Sequence, residues 1–171
     1  MTPTPIPYFD HAVVAVDHRA ELGEVPTTDA TGAKILAAFM RLENADRLAD
    51  SRHVYAYYRD IHDTVGGEEA LDPYIGVPAT PDAIWRFVHP REIYIMAGQD
   101  GDPHAYVFAA CDCDWEPEHG LTLVWRDGTT LCKAGPYDGH NTNAAAFDDQ
   151  TLEDVVYPAI ETRYRTFIDR S

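Results

Sequence analysis

The sequence predicts an α+β fold in which two N-terminal helices pack on one face of a largely antiparallel β-meander, followed by a C-terminal helical tail. Two segments with apolar residues at helical spacing occur in the first half of the chain, and a series of short strands follows them. Turn-forming residues separate the two regions. The 171 residues are enough for a single domain with its own core, spanning residues 1–171.

The two amphipathic helices are predicted over residues 29–43 and 46–65, where apolar residues recur every three or four positions. Gly66 favours the end of the second helix, because glycine readily adopts the left-handed conformation found at helix C-termini. A short strand is predicted before the helices, over residues 11–16. Residues 1–10 are expected to be a flexible, proline-rich start.

Five strands are predicted after a proline- and glycine-rich connection over residues 68–82. Their predicted ranges are 85–88, 92–97, 106–115, 121–126 and 129–133. Residues 158–171 are expected to form a helical extension, because Pro158 is suited to the first turn of a helix. The meander and this extension complete the predicted α+β fold.

Asp127-Gly128 is the clearest turn between strands, since Asp-Gly favours a type I′ hairpin. A two-residue turn at this point would place Leu123 opposite Cys132. Alternation along the strands would then put four side chains on one side of the sheet: Leu121, Leu123, Trp125 and Cys132.

The composition favours some partners and disfavours others. The chain carries 29 acidic and 13 basic residues, for a net charge of −16. This charge disfavours nucleic acid and anionic membrane surfaces and favours a basic protein partner or a cation. The alternative is that the acidity only keeps the protein soluble.

The sequence also bears on cellular location and cofactors. It contains no signal-peptide pattern and no apolar run of membrane-spanning length, and its three cysteines do not suggest a disulfide scaffold. A cytoplasmic location is therefore expected. There is no glycine-rich phosphate loop and no Gly-x-Ser-x-Gly elbow, and no cofactor is predicted.

The polar segment at residues 111–120 raises the possibility of a zinc site. Its candidate ligands are Cys111, Cys113, Cys132, His119 and His140. The paired C-x-x-C spacing of structural zinc sites is absent, so buried, unreactive cysteines are the favoured interpretation. Strand alternation would also place Cys111 and Cys113 on the face opposite Asp112 and Asp114.

A site for calcium or magnesium is a second alternative for this segment. It would gather the carboxylates of Asp112, Asp114, Glu116, Glu118 and Asp138, since these cations take oxygen ligands. The spacing of the EF-hand loop is missing. Solvated carboxylates at a strand end are therefore the favoured interpretation.

Catalysis is a third alternative, in which a carboxylate orients an imidazole that titrates near neutrality. It would use Glu118 or Asp138 with His119 or His140. The competing interpretation is that these residues only shape turns, helped by the neighbouring glycines. Convergence of the four side chains in one pocket would favour chemistry, and their dispersal would favour a structural role.

Several motifs resemble those of an uncharacterised bacterial family of unknown function. They are Tyr55-x-x-Tyr58, Trp85, Glu92-Ile93-Tyr94-Ile95, the segment Cys113 to Leu121 (Cys-Asp-Trp-Glu-Pro-Glu-His-Gly-Leu), and Tyr137-Asp138-Gly139-His140. The resemblance spans about residues 9–157 and implies no established activity. Such domains resemble those encoded near bacterial toxin and immunity systems, which implies a protein-binding role.

Together these observations predict a non-enzymatic interaction protein, of the toxin-immunity kind, that uses its acidic surface to meet a basic protein. The alternative is a small metal-binding or hydrolytic domain that uses the Glu118-His119 and Asp138-His140 loops.

Overall fold

The computed structural model describes residues 1–18, 23–99 and 101–169 and contains a six-stranded sheet. The strands, in chain order and also in spatial order, are β1 (Thr2–Ile6), β2 (Ala12–Val16), β3 (Val88–Ala97), β4 (Ala105–Cys113), β5 (Leu121–Arg126) and β6 (Thr130–Gly135). Neighbouring strands are antiparallel except β2 and β3, which are parallel. The predicted α+β class with a largely antiparallel sheet is confirmed.

The helices lie in the chain between β2 and β3, and this long connection is what lets those two strands run parallel. They are α1 (Ala30–Phe39), α2 (Asn44–Val65) and the single turns α3 (Gly67–Ala70) and α4 (Asp72–Ile75). Asp29 caps α1 by accepting a 2.7 Å hydrogen bond from the Gly32 amide. Gly66 ends α2 in the left-handed conformation, as predicted. Within the described ranges, every helix is too short or too polar to cross a membrane.

An aromatic core joins the helices to one face of the sheet. The rings of Tyr8 and Phe39 each lie 4.9 Å from the ring of Trp125, measured between centroids. Tyr57 and Tyr58 of α2 pack edge-on against Trp115, at 5.8 and 6.1 Å. These contacts fix α1 and α2 over β3 to β6, because large rings bury much area and prefer offset or edge-to-face arrangements.

Two buried titratable groups of α2 have pKa values shifted in opposite directions. Burial lowers the pKa of His53 to about 4, helped by the neighbouring Arg52 charge, and its Nδ1 lies 2.7 Å from the Thr166 hydroxyl. Burial raises the pKa of Asp50 to about 6, although its hydrogen bond from Tyr8 acts the other way. The folded protein therefore holds His53 neutral and retains a proton on Asp50 more readily than the unfolded chain does.

The N-terminus is ordered, contrary to the prediction of a flexible start over residues 1–10. β1 pairs with β2 along its whole length, and Ile6 and Tyr8 are fully buried. The Tyr8 hydroxyl also donates to Asp50 at 3.0 Å. Prolines are compatible with this strand because it lies at the edge of the sheet, where missing amide donors disrupt little pairing.

The segment predicted as a strand over residues 85–88 is mostly helical. Pro81–Phe87 forms 3₁₀ turns, and β3 begins only at Val88. Trp85 is buried and donates its indole N–H to the Ser51 hydroxyl at 2.9 Å. Tertiary packing of this tryptophan against α2 thus takes precedence over the local strand pattern.

The β5–β6 hairpin turns at Asp127-Gly128 as predicted, but three residues rather than two separate its last paired residues, Arg126 and Thr130. Asp127 and Gly128 both have positive φ, 51° and 71°, as a type I′ turn requires. The ladder also shifts by one residue at a bulge between the pairs of Trp125 and Val124, and the two offsets together place Leu123 opposite Ala134 rather than Cys132. Cys132 packs with Val124 on the far face, and its predicted place beside Leu121, Leu123 and Trp125 is wrong.

The predicted C-terminal helix is also wrong for the described part of residues 158–171; residues 170–171 lie outside it. Instead, β7 (Val155–Tyr157) pairs with β8 (Thr166–Phe167), and a short helix, α5 (Asn143–Phe147), precedes them. The buried Asp60 carboxylate accepts hydrogen bonds from the Tyr157 hydroxyl and from the amides of Ile160 and Glu161, at 2.7, 2.5 and 3.0 Å. These amides bind a distant carboxylate instead of starting a helix.

Candidate functional site

The first signature segment forms the Glu116 turn, residues 116–120. The Glu116 carboxylate lies 3.3 Å from the amide of Glu118, 3.4 Å from the amide of His119 and 3.3 Å from the His119 ring nitrogen Nδ1. Gly120 has a positive φ of 64°, and an added Cβ would meet the Cys111 carbonyl oxygen at 2.6 Å. The turn is therefore built by local hydrogen bonds and requires glycine at its end.

Buried residues on both sides hold the Glu116 turn in place. Cys113 and Trp115 are buried, whereas Asp112 and Asp114 point to solvent, as strand alternation predicts. Tyr57 donates its hydroxyl to the Gly120 carbonyl at 3.2 Å. The turn thus presents Glu118 and His119 at the surface from a rigid base.

The second signature segment forms the Asp138 turn, residues 137–140, which wraps around a buried lysine. Lys133 is 4% exposed, and its Nζ donates to the Asp138 carboxylate at 2.5 Å and to the His140 carbonyl at 3.2 Å. Asp138 also accepts the His140 amide at 3.0 Å. The Asp138 carboxylate therefore forms an ion pair with the buried ammonium group of Lys133.

The environment of Lys133 also bears on the surface charge. Burial lowers the pKa of its ammonium group, while Asp138 acts in the opposite direction. Lys34 is the other lysine of the chain, and it is exposed on α1. One of only two lysines is therefore buried and adds little positive charge to the surface.

The four candidate catalytic residues divide between two places. Glu118 and His119 line a shallow polar cavity of about 440 Å³ on the face of the sheet away from the helices, together with Arg91, Tyr94 and Tyr137. Asp138 and His140 are absent from the described lining of that cavity, and Asp138 is engaged by Lys133. The carboxylate–histidine convergence that would favour hydrolysis does not form among them.

The cysteines are buried and do not gather around a histidine. Cys132 lies on the opposite face of the sheet from Cys111 and Cys113. Burial raises the pKa of Cys113 and Cys132 to about 12 and also raises that of Cys111. Thiols of this kind stay protonated, whereas zinc ligation and nucleophilic attack need the thiolate.

The predicted cluster of five carboxylates is likewise dispersed. Asp112 pairs with Arg91 at 3.0 Å and Asp114 with His89 at 2.7 Å, while Asp138 binds Lys133. Within the described part of the chain, one group of three side chains has ligand atoms close enough to share a cation: Glu116, Glu118 and His119, all within 4.8 Å of one another. The predicted carboxylate site included Glu116 and Glu118, whereas His119 was predicted only for the zinc and catalytic alternatives.

An apolar groove beside the Glu116 turn was not predicted from the sequence. It has a volume of about 520 Å³, and its floor includes the buried rings of Tyr57 and Tyr157. Its walls include three large side chains that remain 60, 58 and 66% exposed, respectively Tyr137, Phe147 and Ile160. Exposed apolar side chains that converge on a groove mark a binding surface more often than isolated ones do.

The groove is assembled from parts that are distant in sequence. α2 contributes Tyr57 and Ile61, the Glu116 turn contributes Glu116 and His119, and Pro136 and Tyr137 lie at the Asp138 turn. Residues 147–160 supply another wall. Asp60 holds that wall against α2 through its three hydrogen bonds. A local sequence pattern cannot reveal such a surface, since no single segment contains it.

The fold and this surface define a class: an α+β domain whose sheet is covered on one face by helices and which presents an apolar groove next to a polar turn. The chain belongs to the family described as Domain of unknown function (DUF6985), which it matches over residues 1–141. This confirms the resemblance to an uncharacterised family, although the match begins earlier and ends earlier than residues 9–157. Searches of curated proteins and of solved structures gave no match.

Proposed function

We propose that the protein is a non-enzymatic interaction module that binds a basic protein through the apolar groove, as an immunity protein would bind its toxin. The observation that carries this proposal is the convergence of Tyr137, Phe147 and Ile160, all more than half exposed, on one groove. Aromatic side chains in such positions contribute much of the binding energy at protein interfaces.

The charge of the chain indicates the kind of partner. The net charge is −16, and the groove has Glu116 in its lining and Glu161 directly after Ile160. Its described lining contains no lysine or arginine. A partner that inserts an apolar side chain flanked by lysine or arginine would match both the groove and its rim.

The polar contacts at the two signature turns support a non-enzymatic role. Asp138 is committed to Lys133, and the cysteine thiols are buried with raised pKa values. The candidate acid–base pair Glu118 and His119 lies beside the groove, and the Cys111 thiol in the lining of the neighbouring polar cavity is buried with a raised pKa. These groups fit a recognition surface better than a hydrolytic site.

The test is a selection of displayed random peptides on the purified protein, followed by affinity measurements on variants. We expect the selected peptides to combine an aromatic or long aliphatic residue with neighbouring lysine or arginine. Tyr137→Asp should weaken their binding by roughly tenfold or more, because it removes an anchor at the centre of the surface. Their association rate should fall as salt is raised.

Tyr74→Asp is the matched control, since Tyr74 is also an exposed tyrosine and lies on α4, away from the groove. It makes the same change of side chain and charge and should leave peptide affinity unaltered. Equal weakening by the two substitutions, or selected peptides with no excess of basic residues, would count against the proposal.

A second candidate function, binding of a divalent cation, is favoured by the grouping of Glu116, Glu118 and His119 within 4.8 Å. Two carboxylates and an imidazole suit a metal such as zinc or manganese. Asp138 and His140 take no part in this group, so the candidate is narrower than the predicted two-loop site.

Isothermal titration with zinc and with manganese tests this second candidate. Binding of one ion, weakened roughly tenfold by His119→Ala, would support it. His89→Ala provides the control, because His89 is also exposed and sits beside a carboxylate, Asp114. Equal affinities for the two variants would show that any binding is adventitious.

A further inference from the structure

A second cavity lies next to α5, which also borders the apolar groove. α5 contributes Ala144 and Ala145 to this cavity and Phe147 to the groove. The cavity has a volume of about 490 Å³, and Tyr106 of β4 lines it from the face of the sheet that the large helices leave uncovered. Its volume is far larger than a single metal ion needs. We refer to it as the α5 cavity.

A buried acceptor without a donor lies in the wall of the α5 cavity. Asn141 is 2% exposed, and its Nδ2 donates to the Ala97 carbonyl at 2.9 Å. A carbonyl oxygen can only accept, so this bond fixes which end of the amide faces Ala97 and directs Oδ1 elsewhere. Among the residues that the structure describes, none donates a hydrogen bond to Asn141 Oδ1. Unpaired buried acceptors are costly, and a bound donor would relieve that cost.

The ionisable groups around the cavity are mostly acidic. Asp102, Asp148 and Glu153 line it, along with His104. Asp102 accepts the Tyr106 hydroxyl at 2.5 Å and the His104 amide at 3.0 Å, and Glu153 pairs with Arg126. Within the described ranges, Asp148 has no side-chain hydrogen bond or ion pair that would neutralise it. The cavity is therefore rich in acceptors and carries excess negative charge.

We infer that the α5 cavity binds a guanidinium group. Such a group brings one positive charge and five N–H donors in a planar fork, so one ligand could engage both the amide oxygen of Asn141 and a carboxylate. The group could belong to an arginine side chain of a protein or to a small free guanidino compound. This inference stands on the Asn141 amide and its acidic neighbours and does not depend on the proposed function of the groove.

The experiment is an NMR titration of the isotope-labelled full chain with N-acetyl-L-arginine amide. N-acetyl-L-citrulline amide, which is neutral and nearly the same shape, serves as the matched ligand. We expect saturable shifts of the Asn141 side-chain amide and of the backbone amides of Ala145 and Asp148 with the arginine compound only. Tighter binding of agmatine than of the capped arginine would identify a free guanidino compound, and the reverse order would identify an arginine side chain.

Two variants test whether Asn141 and Asp148 bind the guanidinium group. Asn141→Ala should weaken binding roughly tenfold, and Asp148→Asn roughly threefold, since the second residue acts through a more screened charge. Asp148 has a φ of 50°, which asparagine tolerates, so this variant should keep its fold even if Asn141→Ala does not. Glu68→Gln, an equal change of charge at an exposed site outside the cavity, should bind like the wild type.

Three results would overturn the inference. The first is equal binding of the citrulline and arginine compounds. The second is wild-type affinity in Asp148→Asn, or a weakening by Glu68→Gln as large as that by Asp148→Asn. The third is saturation of the same resonances by calcium alone, which would make the cavity an inorganic cation site.

Discussion

The Glu116 turn and the Asp138 turn are made of similar residues, an acid, a histidine and a glycine, yet they do different things. In the first, the acid bonds to amides of its own turn and leaves His119 exposed next to the apolar groove. In the second, the acid pairs with the buried ammonium group of Lys133. The difference comes from the strand before each turn, since only β6 directs a buried cation toward its turn.

This comparison shows that an acid–histidine–glycine motif does not by itself indicate catalysis. A carboxylate next to a buried cation is committed to cancelling its charge, because leaving that charge unpaired would be costly. Tyr137 nevertheless begins the Asp138 turn and stands in the wall of the groove. The pair formed by Lys133 and Asp138 thus has a structural role that positions a surface residue.

The stability of the fold in acid should depend strongly on the buried His53. Below pH 6.5 the unfolded chain protonates His53, but the folded protein resists until about pH 4, so acid destabilises it. Asp50 opposes this loss, since its folded pKa of about 6 lets the folded state take up a proton first. Removing Asp50 should therefore expose the effect of His53.

In Asp50→Asn, we expect His53 to lower the free energy of unfolding by about 3 kcal/mol between pH 6.5 and pH 4. Urea unfolding of this variant and of the double variant Asp50→Asn/His53→Gln across this pH range measures the contribution of His53 to the free energy of unfolding. An identical profile for the single and double variants would show that His53 does not control acid stability.

The next effect tests the difference between the two turns directly. Lys133→Ala should lower the free energy of unfolding by about 2 kcal/mol, because it leaves a cavity and removes the partner of Asp138. The half-exposed carboxylate can recover part of its solvation, which limits the loss. Chemical denaturation measures the change, and loss of groove binding should accompany it as Tyr137 loses its support.

The smallest effect concerns the Glu116 turn. His119→Ala should change the free energy of unfolding by less than about 0.5 kcal/mol, since His119 is largely exposed and its contact with Glu116 is a surface ion pair at most. Chemical denaturation of His119→Ala and of Lys133→Ala under the same conditions compares their losses in the free energy of unfolding. Losses of similar size would mean that the two turns are structurally equivalent after all.

Much of the fold could be predicted from local patterns. β5 and the end of α2 at Gly66 follow from alternation and helix-stop signals. The C-terminal region could not, because its conformation depends on hydrogen bonds to Asp60, about a hundred residues earlier in the chain. The predicted register of the β5–β6 hairpin was wrong for a related reason, since a bulge at Cys132 is a packing feature that turn chemistry does not encode.

The site was predictable only in part. The Glu116 turn, with Glu118 and His119 exposed, follows from the glycine at its end and from strand alternation. The pairing of Asp138 with Lys133 was missed, because it requires knowing which side of β6 faces the loop. The apolar groove was missed because its walls come from four parts of the chain: α2, the Glu116 turn, the Asp138 turn and the C-terminal segment.

Methyl and amide NMR shifts of the labelled protein would locate where a selected basic peptide binds. We expect the largest shifts on Ile61, Tyr137, Phe147 and Ile160, around the apolar groove. Shifts centred instead on Arg91 and Tyr94, in the polar cavity beyond the Glu116 turn, would show that the groove is not the binding surface.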